Sequence, residues 1–115
     1  MKQERGQERG MLLGAVKPRI QKIRECLRSG EEVEKKVIAD ILYHLMTTRE
    51  SELEKYKNAP DNLKEAANVV RMLEIADLCS AAIGLFCNEK EDVLLPMNEE
   101  TLNAAERLVE RIIDL

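Results

Sequence analysis

The chain has 115 residues, 44% hydrophobic and 35% charged, with five Gly, three Pro and a formal net charge of −4. This length and mixture describe one soluble, helical domain that can bury a core without covalent staples. Aromatic content is only 3% (Tyr43, Tyr56 and Phe86), which disfavours base-stacking platforms and, more mildly, β structure.

Residues 1–10 repeat Gln-Glu-Arg-Gly twice, at Gln3–Gly6 and Gln7–Gly10. Glycine interrupts the segment and almost nothing in it is apolar, so it reads as a flexible N-terminal tail, with partial helix as the alternative. A single helical-bundle domain is expected over 11–115. Its first helix runs from about Met11 to Arg28, with Leu13, Val16, Ile20, Ile23 and Leu27 spaced 3-4-3-4 along one seam. Pro18 either starts this helix near Val16 or kinks a longer one.

Ser29-Gly30 ends that helix, with Gly30 suited to a left-handed cap. Ser29 and Glu32 have capping-box spacing for a second helix reaching about Lys57. Val37, Ile38, Ile41, Leu42 and Leu45, and later Leu53 and Tyr56, share its apolar face. The run Asn58-Ala59-Pro60-Asp61 is the clearest break, because the residue before proline leaves the helical region. Asn58 or Asp61 can cap the third helix, expected over Asp61–Asn88.

The third helix carries no charge from Leu78 to Cys87. Ten uncharged residues are too few to span a bilayer, so the expected surroundings are protein, with this helix at the centre of the bundle. A loop with Val93, Leu94 and Leu95 before Pro96 is expected to fold over the bundle end. Asn98 caps the last helix, and Met97 with Leu102 forms a staple. Leu102, Ala105, Leu108, Val109 and Ile112 give that helix its apolar face. The sum is an all-α, antiparallel bundle of about four helices.

Charge is unevenly placed. Eight basic and three acidic residues through Arg28 leave net +5, and the remainder of the chain carries −9. Arg5, Arg9, Lys17, Arg19, Lys22, Arg24 and Arg28 are therefore candidate anion-binding residues. The preferred reading is a basic helix packed beside acidic ones.

Chemistry-bearing residues do not converge. Cys26, Cys79 and Cys87 are odd in number and lack metal-ligand spacing. Only Cys26, near Arg24 and Arg28, has an electropositive setting. His44 sits at the boundary of its helix's apolar face. It is followed by Leu45-Met46-Thr47-Thr48, unlike a phosphorelay histidine, which is commonly followed by Lys and Gly. Gly10 and Gly14 have no strand before them and make no phosphate loop. The run Glu50-Ser51-Glu52-Leu53-Glu54, with Lys55 and Lys57, reads as a solvated helix face. No catalytic, metal or cofactor-binding residue is expected.

One stripe goes beyond generic core. Ala76, Ser80 and Gly84 recur every four residues, a spacing that suits a close helix neighbour within the chain or in a homodimer. Glu74 and Asp77 give it an acidic entrance, which the basic first helix is a candidate to cover.

The expected function is a non-catalytic protein-interaction module, an adaptor, chaperone or inhibitor-type regulator. The methionines at 11, 46, 72 and 97 offer adaptable contact surface. The alternative is a nucleic-acid-associated regulator acting through the basic N-terminal third. Free thiols and an N-terminus without an apolar leader suggest a reducing cytoplasm, with no membrane partner.

Overall fold

The computed structural model describes residues 2–87 and 98–115, with side chains from residue 7 onward. The fold is all-α. Helix α1 (Lys2–Met11) passes through a π-helical turn (Leu12–Val16) into α2 (Lys17–Ser29). Then follow α3 (Lys35–Asn58), a 3-10 turn (Asp61–Leu63), α4 (Ala67–Phe86) and α5 (Glu99–Asp114). These make four rods among the described residues. α4 packs on α3 and α5, and α2 packs on α3 and α5, so the rods close into a ring. The expected loop with Val93, Leu94 and Leu95, the end of the third helix at Asn88 and the Met97 half of the staple lie outside the described residues.

The first rod is longer than expected. Residues 2–10, read above as a tail, continue as helix α1. Gln, Glu, Arg and Lys are good helix formers, and Glu8 gives the segment an anchor on α3. Pro18 falls in the first turn of α2, and the turn before it widens. The Lys17 amide donates to the Leu12 carbonyl, five residues back. Nearby, the Ala15 carbonyl accepts from Arg19 Nη1 at 2.9 Å.

That wide turn changes the register of the seam. Leu12 is fully buried, whereas Leu13 is 51% exposed. Val16, Ile20 and Ile23 are buried as expected, and Leu27 packs against the core edge. A π turn rotates less per residue than an α turn, so residue 12 rather than residue 13 sits over Val16.

Gly30 takes the left-handed conformation, φ 77°, and both its own amide and that of Glu31 turn back to the Cys26 carbonyl. The capping box does not form. Ser29 remains inside α2 with its hydroxyl on the Cys26 carbonyl, and α3 begins only at Lys35, with no side-chain cap from Glu34. Between them, Val33 packs against the core.

The core face of α3 is Val37, Ile38, Ile41, Leu42 and Leu45, as the spacing predicts. It then continues at Thr48 and Glu52, while Leu53 and Tyr56 are only half-buried. The third helix also starts later than expected, at Ala67, and neither Asn58 nor Asp61 caps it. Lys64 instead closes the corner. Its ammonium donates to the Tyr56 carbonyl at the end of α3 and lies 4.0 Å from the Tyr56 ring centroid.

Inside the ring, α4 supplies Ile75, Cys79, Ala82, Ile83 and Phe86. α5 supplies Leu102, Ala105, Val109 and Ile112, with Leu108 half-buried. Asn98 caps α5 as predicted, its Oδ1 accepting from the Thr101 amide at 2.8 Å. Burying each large aliphatic or aromatic side chain contributes roughly 1.5–3 kcal/mol.

Two neighbours on α4 should respond with opposite sign in urea unfolding. Phe86→Ala empties a fully buried site and should cost about 3–5 kcal/mol. Gly84→Ala should stabilise by up to about 1 kcal/mol, because a Cβ there meets nothing within 4 Å.

Candidate functional site: the outer face of α4 and the charged seams

α4 is apolar in sequence but two-sided in space. Its inner side faces the core, and its outer side exposes Ser80, Ala81 and Gly84 between them. These residues are uncharged yet small, so they expose little apolar surface. The Ala76-Ser80-Gly84 stripe is not confined to one side. Ala76 is buried, while Ser80 and Gly84 are exposed. A four-residue step on a helix of 3.6 residues per turn rotates by about 40°, which carries the stripe from the core to the outside. Ser80 Oγ lies 3.5 Å from Arg49 Nη1 on α3. Among the described residues, nothing lies within 4 Å of where a Cβ at Gly84 would stand.

The basic first rod does not cover this stripe. It pairs with α5 in antiparallel order. Lys17 Nζ meets Glu110 at 3.1 Å, Arg24 meets Asn103 at 2.9 Å and Glu106 at 3.5 Å, and Arg28 meets Glu99. Arg24 is the inner rung, its side chain 9% exposed, with Gln21 as a further acceptor. On the other flank Arg19 pairs with Asp40 of α3 at 3.5 Å. Four of the seven candidate anion-binding residues are thus engaged within the chain. Lys22 is exposed and makes no ion pair among the described residues. Arg9 is half-buried, and the side chain of Arg5 lies outside the described residues.

A second polar cluster joins α1 to α3, and the sequence reading missed it. Glu8 Oε1 accepts from Ser51 Oγ and from Lys55 Nζ, each at 3.3 Å. Lys55 also reaches Glu52, at 3.5 Å. Glu52 is only 2% exposed, so the acidic run of α3 is not wholly a solvated face. The signal was present: steps of three and four from Leu45 lead to Thr48, Glu52 and Lys55. The side chains there are polar, which hid the continuation of the inner face.

His44 is half-buried, with its ring edge-on to exposed Tyr43 at 5.5 Å. Its Nδ1 is buried without a hydrogen-bond partner. Cys79 and Cys87 are buried, with Cys87 Sγ donating to the Ile83 carbonyl at 3.5 Å, and Cys26 is half-buried. Met11 is exposed, whereas Met46 packs against the core and Met72 is half-buried. Among the described residues, no group of three or more His, Cys, Asp or Glu is placed to hold a metal ion. A cleft of about 460 Å³ between α4 and α5 is lined by Glu74, Asp77, Leu78, Arg111, Asp114 and Leu115. The acidic entrance predicted from Glu74 and Asp77 is therefore part of this cleft, with Arg111 among its carboxylates.

Among the described residues, no helix is long and apolar enough to cross a membrane. Compared with protein-family models, curated proteins and solved structures, the chain shows no match.

The seam between α2 and α5 should be unequal in strength. Arg24→Ala removes the charged hydrogen bonds that its largely buried guanidinium makes to α5 and should cost about 1.5–3 kcal/mol in urea unfolding. Arg28→Ala removes an exposed pair and should cost no more than about 1 kcal/mol.

Proposed function

We propose that this protein is a non-catalytic interaction module that binds a protein partner through the outer face of α4. The supporting observation is the open position at Gly84, next to exposed Ser80 and Ala81 on a helix half without charge. Side-chain size sets how near two helices approach, so a partner helix can lie close to α4 here. Adaptor, chaperone and inhibitor-type regulator are the forms this reading takes, with a homodimer as its symmetric version. A cytoplasmic setting goes with three cysteines that form no disulfide with one another.

The charge arrangement favours this reading over nucleic-acid binding. Lys17, Arg19, Arg24 and Arg28 already face carboxylates of α3 and α5. A phosphate backbone competing for them has to displace those carboxylates in a chain of net charge −4.

Affinity capture with the full chain, combined with size exclusion and light scattering, tests the proposal. A stoichiometric protein partner or a homodimer is expected. Gly84→Leu should abolish it while the helical circular dichroism stays unchanged. A monomer without partner at micromolar concentration overturns the reading, as does a complex that Gly84→Leu leaves intact. Gel shift at low salt with a nonspecific duplex should show no band; a salt-sensitive shift points to the basic third instead.

A further inference from the structure

The turn at Leu12–Val16 lies where two registers of one sequence compete. In the observed register Leu12 fills the core position above Val16 and Leu13 is exposed. Glu8, one turn earlier, takes the anchor position against Ser51 and Lys55. Next to it, Arg9 Nε is buried with no hydrogen-bond partner.

Closing the π turn to a regular α turn rotates α1 by one residue, about 100° about its axis. Leu13 then takes the place of Leu12 and completes the 3-4-3-4 seam with Val16, Ile20, Ile23 and Leu27. Arg9 takes the place of Glu8 and comes beside Glu52, which is buried on the same face of α3 as Ser51 and Lys55. Each register thus offers a leucine to the core and a charged side chain to the anchor. In the second, the guanidinium whose Nε is unpartnered in the first gains a carboxylate, and Glu8 and Leu12 turn outward.

We propose that the first rod is a two-register helix, with Pro18 holding it in the π register. Proline has no amide hydrogen for the carbonyl four residues back, here Gly14, and its ring collides with that carbonyl in a regular helix. The wide turn avoids the collision, and the Arg19 guanidinium satisfies the adjacent Ala15 carbonyl. The register decides which face α1 presents: exposed Leu13 with Glu8 bound inward, or exposed Leu12 with Glu8 turned away from Ser51 and Lys55. A ligand that prefers one face shifts the balance by its difference in affinity for the two.

Methyl-resolved NMR on the full chain, with Leu12 and Leu13 assigned, reads the register. In the natural sequence Leu12 methyls should contact Val16 and the core, and Leu13 methyls should not. Pro18→Ala should transfer these contacts to Leu13 and raise the second register at least tenfold. Lys55→Gln, with Pro18 kept, removes the cation that Glu8 uses and should shift the same resonances the same way. It also serves as the test if Pro18→Ala does not fold. Leu12 remaining inside and Leu13 outside in every folded variant of the two overturns the proposal.

Discussion

The bundle closes because the first rod meets the last, and Arg24 is the residue at that meeting. Its side chain lies beside the fully buried Ile23 and ends on Asn103 and Glu106 of α5. A guanidinium suits this place because its planar fork donates in several directions at once. Lys17 and Arg28, on either side along α2, extend the same antiparallel match with Glu110 and Glu99. These outer pairs are more exposed and contribute register and orientation more than stability. The asymmetry between a basic N-terminal third and an acidic remainder thus acts as an instruction for assembly. It matches two rods that are far apart in sequence, while α3 and α4 form the remaining sides of the ring.

The same rod carries the main irregularity of the fold. A proline at position 18 widens the turn that precedes it, and the widened turn decides which of two adjacent leucines is buried. The cost of the irregular turn is offset by full burial of Leu12 and by the Glu8–Lys55 anchor farther along the rod. A polar anchor is reversible in a way that an apolar one is not, because its groups are well solvated when it opens. The junction of α1 with α3 therefore differs in kind from the α3–α4 contact, which is built around aliphatic side chains.

Much of this architecture was legible in the sequence. The helical class, the break at Pro60, the left-handed Gly30 and the Asn98 cap each follow from a local rule acting on one or two residues. The errors have equally local causes. Unbroken α periodicity through Pro18 puts Leu13 in the seam, and the wide turn before Pro18 breaks that periodicity. Ser29 and Glu32 have capping-box spacing, but Gly30 had already turned the chain before a helix could start. The acidic run around Glu52 suggests a solvated face, although steps of three and four from Leu45 lead to Glu52. The spacing of the Ala76-Ser80-Gly84 stripe suggests one face because four residues are close to a helical turn, yet the excess of about 40° per step accumulates. Burial of polar side chains depends on which rod lies opposite, and that is a long-range fact.

The functional reading depends on where charge is used and where it is absent. The basic side chains of α2 that face α3 and α5 are occupied within the bundle, while the C-terminal half of α4 exposes small, uncharged Ser80, Ala81 and Gly84. The central claim is that α2 spends its charge on α5, and a double-mutant cycle tests it most directly. Arg24→Ala, the paired change Asn103→Ala with Glu106→Ala, and the triple variant would be compared by urea unfolding. The account predicts a coupling of about 0.5–3 kcal/mol between the two sides, as expected for residues in one hydrogen-bonded network. Additivity to within about 0.3 kcal/mol would contradict it and would return Arg24 to the set of cations available to an outside ligand.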